Sequence, residues 1–114
     1  MKALIFDTET TGMVKWDLPP EHPAQPHLIQ LGMLLVETGD WRLRGSHVTL
    51  VRLAEGVAIE PGAREAHGIS EQECASFGVA PIVACSLFNQ LCLQADLIVA
   101  HNMSFDRTVM LAAL

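Results

Sequence analysis

Apolar and polar positions along the chain cluster, alternate and break in an order that predicts an α/β domain. Residues 2–6 (Lys-Ala-Leu-Ile-Phe) are too apolar for a surface edge and read as a strand buried on both faces. The polar run Asp7-Thr8-Glu9-Thr10-Thr11-Gly12 marks its carboxyl end. In residues 13–27, Pro19, Pro20, Pro23 and Pro26 deny both helix and central strand, which predicts an irregular surface loop. Residues 28–37 and 41–53 read as two strands joined at Thr38-Gly39-Asp40, an antiparallel hairpin. Residues 63–68 are expected to form one short helical turn, and Ser70 with Glu73 three positions on has the pattern of a capping box. Pro81 suits a first helical position, and Ile82, Cys85, Phe88, Leu91 and Cys92 recur close to one face, predicting a helix over 81–95. Residues 96–100 read as another buried strand. Asn102 then suits the N-cap of a second helix running through Phe105, Val109 and Leu111, which puts Asp106 about one turn inside it.

Composition narrows the classes of function. The chain has 114 residues, half of them hydrophobic, which suits a single domain spanning 1–114 with one core. Seven Lys and Arg against thirteen Asp and Glu give a net charge of −6, so binding of a polyanion through a broad basic surface is excluded and any phosphate contact must be local. No apolar run reaches the roughly 18 residues of a membrane span. The first residues lack the form of a signal peptide, so no membrane association and a cytoplasmic location are expected. Cys74, Cys85 and Cys92 form an odd set without CxxC spacing and are expected to be reduced and structural, with Cys85 and Cys92 in the core. The last helix carries no stop signal before Leu114, so the domain is expected to be truncated at its C-terminus.

The chemistry lies in the acids. Asp7 and Glu9 are two positions apart, so on an extended backbone their side chains leave one face a few ångströms from each other. Two like charges that close call for a counter-charge, and a hard divalent cation such as Mg²⁺, held by one or two carboxylates and by substrate oxygens, meets that need. An isolated pair of acids at a strand end more often solvates a turn. Here the strand is apolar, Gly12 permits close approach of backbone to a ligand, and a third acid, Asp106, arrives after another apolar strand. His22, His27, His47 and His101 fit no zinc spacing, and His101 is expected to be structural. Trp16 and Trp41 are expected to cover a loop and a sheet face, Trp16 being the better placed of the two to stack on a base.

Four segments carry a resemblance to a known family. Phe6-Asp7-Thr8-Glu9-Thr10-Thr11-Gly12 resembles the first motif of the DEDD superfamily of 3′–5′ exonucleases, and His101-Asn102-Met103-Ser104-Phe105-Asp106 resembles the second. His27-Leu28-Ile29-Gln30-Leu31-Gly32 is similar to that family's second strand, and Ala66-His67-Gly68-Ile69-Ser70 to the segment before its long helix. The resemblance implies a ribonuclease H-like α/β fold: a mixed sheet with strands one to three antiparallel, strand four parallel to strand one, helices on its faces, and truncation before a fifth strand. It implies a metal-dependent exonuclease that releases nucleoside 5′-monophosphates from single-stranded or frayed 3′ ends of DNA, with RNA as the alternative. Two Mg²⁺ or Mn²⁺ ions would serve it, with Asp7 bridging both, Glu9 on the water-activating ion and Asp106 supporting the second. Thr10, Gly12, Met13, His67, Asn102 and Arg107 would meet the substrate, Met13 against the last base and Arg107 or Lys15 at phosphate. A polymerase or other replication partner is implied as well. The family's third motif, a His or Tyr with an Asp four or five residues on, has no match in these 114 residues, so weak hydrolysis is expected. A catalytically impaired nucleic-acid-binding or protein-interaction module of the same fold is the alternative. Self-association through an uncovered sheet edge is expected on the same ground.

Overall fold

The computed structural model describes residues 1–114. β1 (Lys2–Thr10) pairs antiparallel with β2 (Leu28–Glu37) on one side and parallel with β4 (Leu97–Val99) on the other, while β3 (Leu43–Leu50) pairs antiparallel with β2. The sheet order is therefore β3-β2-β1-β4, the mixed arrangement that the resemblance implies.

Alternation along β1 sends Leu4, Phe6, Thr8 and Thr10 to one face and Ala3, Ile5, Asp7 and Glu9 to the other. The first face packs with Leu31, Met33 and Leu35 of β2 against α3 (Pro81–Gln94) and α4 (Met103–Ala113), which supply Ala84, Cys85, Phe88, Val109 and Met110. Phe6 and Phe88 meet edge to face with ring centroids 5.0 Å apart, joining sheet and helix at the centre of this core. A smaller cluster of Ile29, Ile59, Ile69 and Cys74 anchors α1 (Pro61–His67) and α2 (Glu71–Phe77). α1 starts on Pro61 and is closed by Gly68 in the left-handed conformation, φ 71°. α2 starts on the reciprocal Ser70–Glu73 capping box that the sequence predicts. No helix is long and apolar enough to cross a membrane. The three cysteines are free, and burial pushes each thiol up, which keeps it neutral and inert.

The structure corrects several boundaries. β1 extends to Thr10, so Asp7 and Glu9 lie within the strand; β2 continues opposite them, with Gly32 facing Asp7 and Gln30 facing Glu9. β3 is shorter than expected, because Glu37 N–H donates to the Arg42 carbonyl in the turn at one end and Val51 leaves to bridge Val79 at the other. α1 likewise starts earlier than the expected turn. β4 has three residues rather than five and is not buried: Leu97, Ile98 and Val99 are 46%, 45% and 43% exposed, since β4 is the edge of the sheet with a strand on one side only. Ile82 is exposed because the buried stripe of α3 begins a turn further on, at Ala84 and Cys85. Cys92 packs on the core only in part. Both tryptophans stand in solvent rather than covering loop or sheet, Trp41 in a left-handed turn conformation, φ 59°.

An open apolar edge is a template for pairing with a second chain. Sedimentation velocity should show concentration-dependent association of the chain, and Val99→Lys should return it to a monomer with a change in stability of no more than about 0.5 kcal/mol, the usual size for a surface site. A wild-type chain that stays monomeric at high concentration removes this role for the edge.

Candidate active site

Asp7 and Glu9 project from one face of β1, and the backbone just beyond them is tightly fixed. The register with β2 shifts between Glu9 and Thr10, a bulge that re-aims the end of the strand. Thr10 Oγ1 donates to the Gly12 carbonyl at 2.7 Å, Thr11 N–H to the His27 carbonyl at 3.0 Å, and His27 N–H to Thr11 Oγ1 at 2.9 Å. A side chain at Gly12 would require the Glu60 carboxylate to move. A side-chain carbon there would stand 2.5 Å from the carboxyl carbon of Glu60, whose N–H donates to the Thr11 carbonyl at 2.8 Å.

Asp106 reaches this end of the sheet because β4 is short. β4 pairs with Ala3, Leu4 and Ile5 alone, so beyond Ile5 that edge of β1 lacks a strand partner. The first turn of α4 places Asp106 in the gap, where its Oδ1 accepts Thr8 N–H at 3.3 Å and Thr8 Oγ1 at 2.5 Å. Asp106 is 3% exposed, whereas Asp7 lies open to solvent. The acids sense one another through space. Burial raises the pKa of Glu9 above the usual carboxylate range, the negative charge of Asp7 raises it further, His67 opposes the shift, and Asp106 adds to it.

Asp7, Glu9 and Asp106 thus meet at one end of the sheet, but they do not form a ready ligand set: no three His, Cys, Asp or Glu side chains gather closely enough to hold one ion. One oxygen of Asp106 is taken up by Thr8. The chemistry of the donors fits a hard divalent cation all the same. The three ion pairs of the chain, Met1–Glu37, Arg44–Glu37 and Arg64–Glu71, leave all three acids without a basic partner. Asp7 and Glu9 are the pair best placed to hold such an ion.

Beside Glu9 lies a cleft of about 410 Å³, lined by Thr8, Thr10, Gly12, Met13, Glu60, His67 and Phe105 among others, within the usual size range of ligand sites. Met13 is exposed at its mouth. His67 is committed at both ring nitrogens: Nδ1 accepts Ile69 N–H at 3.0 Å, so Nε2 carries the proton and donates to the Thr10 carbonyl at 3.0 Å. It clamps α1 to the end of β1 and has no nitrogen free to take a proton from water. Asp7 faces a separate shallow groove with Gly32, Leu34, Val48 and His101. Of the other expected substrate contacts, Asn102 takes the N-cap position without a capping bond from its side chain. Arg107 lines a different groove, with Phe88, Ile98 and Met110, and not the cleft beside Glu9. Sequence reasoning missed Thr8, Glu60 and Phe105. Thr8 and Phe105 lie inside the two motifs and were open to notice; Glu60, just before the Pro61 that starts α1, gave no chemical signal.

Comparison with known proteins agrees with this geometry. An exonuclease family model, RNase_T, matches residues 4–114. The DNA polymerase III epsilon subunit of Buchnera aphidicola subsp. Acyrthosiphon pisum (strain APS) is 31% identical over 105 residues, which is 92% of this chain and 41% of that protein. A crystal structure of E. coli exonuclease I in complex with a dT13 oligonucleotide and a structure of an ExoI/SSB-Ct complex superpose with TM-scores of 0.79 and 0.78 at 23% identity, covering 96% of this chain and 22% of theirs. At that identity the likeness speaks for the fold, a ribonuclease H-like mixed sheet. The chain spans less than half the length of each of these relatives. With the family's first two motifs on β1 and at the start of α4, and the family match running from Leu4 to Leu114, the chain belongs to the RNase_T family of DEDD exonucleases.

Proposed function

We propose that this chain is the catalytic end of a metal-dependent 3′–5′ exonuclease acting on single-stranded or frayed DNA and releasing nucleoside 5′-monophosphates. The observation that carries the reading is the meeting of Asp7 and Glu9 of β1 with Asp106 of α4, which Thr8 holds at the same end of the sheet. DNA is favoured over RNA because exonuclease I is seen with a dT13 oligonucleotide and the curated relative is a subunit of a DNA polymerase. The same relatives, one a polymerase subunit and one seen with SSB-Ct, make a replication protein the expected partner.

In this reading Asp7 and Glu9 hold Mg²⁺ or Mn²⁺, with Asp106 in support. Bound divalent ions supply an activated water and relief of charge on the leaving 3′ oxygen. The protein's own part is positioning. Met13 and Phe105 offer apolar surface to the terminal base, the narrow approach at Gly12 admits backbone contact, and the Thr10 carbonyl is held still by His67. No general base is drawn from the chain. A second reading, a weakly active or binding-only module, is favoured by one observation: the carboxylate of Asp106 is turned to Thr8 rather than into a ligand set.

The two readings separate on a 5′-labelled oligonucleotide with Mn²⁺. An exonuclease gives a ladder of products shortened from the 3′ end, which Asp7→Asn or Asp106→Asn reduces at least about 100-fold, the loss typical of a group that acts in the transition state. A circular single strand should survive. Mn²⁺ at ten times its Kd should add about 1.4 kcal/mol to stability, a shift in Tm of roughly 5 °C or more for a domain of this size, and Asp7→Asn should abolish it. A thermal shift without a ladder assigns the binding-only module. Neither result in the wild type removes both.

The raised pKa of Glu9 yields a separate outcome. The folded state keeps this proton to higher pH than the unfolded state, so the contribution of Glu9 to stability is present at low pH and is lost as pH rises through its folded pKa. In EDTA, Glu9→Gln should therefore melt above wild type at pH 7, and the difference should close as pH falls below the carboxylate range. A variant that melts below wild type at pH 7 would show that Glu9 is stabilised, not strained, by its surroundings.

A further inference from the structure

The proline-rich loop between β1 and β2 is braced from within by one side chain. Gln25, 4% exposed, accepts Lys15 N–H at Oε1 (2.9 Å) and shares its Nε2 protons among the carbonyls of Lys15 (2.9 Å), Leu18 (3.2 Å) and Pro19 (3.2 Å). Val14 is buried in the main core. Between these anchors Leu18 N–H closes a turn on the Lys15 carbonyl at 3.2 Å, and Trp16 stands at the first corner of that turn, 61% exposed. Met13, on the other side of Val14, is exposed at the mouth of the cleft beside Glu9. The loop is thus held firmly from within while its largest apolar side chain stands in water. The four steps from Gly12 to Trp16 span at most about 14 Å. That is at most about four nucleotides of a stacked strand, which rises roughly 3.4 Å per nucleotide along its axis.

We propose that residues 13–25 form a platform for the single strand upstream of the cleft, on which one base stacks against Trp16 while Lys15 meets a neighbouring phosphate. The inference rests on the exonuclease reading and extends it to the part of the substrate that is not cut. Lys15 is the only Lys or Arg among residues 13–27, and Asp17 and Glu21 lie close to it in sequence, so stacking rather than charge carries the contact. Such a contact is tolerant of base identity, because every base presents a π-face. Trp41 is also exposed but has no such role: it sits in the turn after β2, at the end of the sheet where Lys2 pairs with Glu37, away from Glu9.

The chain has two tryptophans, so Trp41→Phe leaves Trp16 as the sole indole reporter. In that background, an eight-nucleotide dT strand with a 3′ phosphorothioate linkage should quench the fluorescence. Trp16→Ala should weaken its Kd about 5- to 100-fold, and Trp16→Phe should restore most of the loss. A dT dinucleotide, too short to reach the platform, should bind wild type and Trp16→Ala alike. Lys15→Ala should lower the slope of log Kd against log salt by about 1. Gln25→Ala should weaken the eight-nucleotide strand and leave the dinucleotide unchanged. Equal Kd values for wild type and Trp16→Ala, with no change in fluorescence, would overturn the platform; Asp7-dependent laddering of an unmodified 5′-labelled strand by the same proteins would leave the exonuclease reading standing and assign Trp16 to a protein partner instead. A wild-type chain that neither binds nor cuts either strand would overturn both.

Discussion

The hydrogen bonds from Thr8 to Asp106 are the contact on which the site depends. β4 stops opposite Ile5, and the next outward-facing donor of β1, Thr8 N–H, would be left without a strand to receive it. A buried donor without an acceptor costs on the order of 1–3 kcal/mol, and a buried carboxylate without donors costs more. Each group is the answer to the other. The pairing fixes the start of α4 against the sheet and sets the third acid beside the first two, so that ending a strand early and building a site are one structural event.

Bringing those acids together stores electrostatic strain. Asp7, Glu9 and Asp106 have no basic partner, and Glu9, the most crowded of them, is destabilised as an anion by burial and by its neighbours. His67, which lines the same cleft, serves as a clamp between α1 and the Thr10 carbonyl. The rest of the fold tolerates the strain because it is confined to one end. The Phe6–Phe88 contact and the aliphatic core of β1, β2, α3 and α4 lie under the face of the sheet opposite Asp7 and Glu9, and only Asp106, held by Thr8, borders them. Functional sites are commonly less stable than their scaffold could make them.

Much of this was legible in the sequence, and the failures have physical causes. The helices over 81–94 and from Met103 onward, the hairpin of β2 and β3, and the Ser70–Glu73 cap were signalled by period and by local chemistry that needs no distant partner. The end of β1 was misread because Thr8 and Thr10 look like turn residues, yet both are buried and serve as hydroxyl donors inside the strand. Leu97-Ile98-Val99 reads as a buried strand by composition; only the strand order shows that it is an edge. The convergence of Asp106 with Asp7 and Glu9 followed from the two motifs, but the partner that holds it lies 98 positions away and leaves no local trace. The bracing of the proline-rich loop by Gln25 was likewise invisible, since a glutamine among prolines gives no sign of being buried.

β1 is tied to the distal half of the chain at both ends of its β4-facing edge: Lys2 N–H donates to Asp96 Oδ2 at 2.9 Å across 94 positions, as Thr8 does to Asp106 across 98. Closing loops of that length costs roughly 4 kcal/mol of chain entropy. The β1–β2–β3 ladder, whose contacts are nearer in sequence, has no such barrier to its formation. At 5–20 residues per second of synthesis, the stretch from Thr8 to Asp106 takes about 5–20 s to emerge. For that time Asp7 and Glu9 can be folded into a sheet while Asp106 is not yet made, so the three acids come together only after the strand that carries two of them can already be in place.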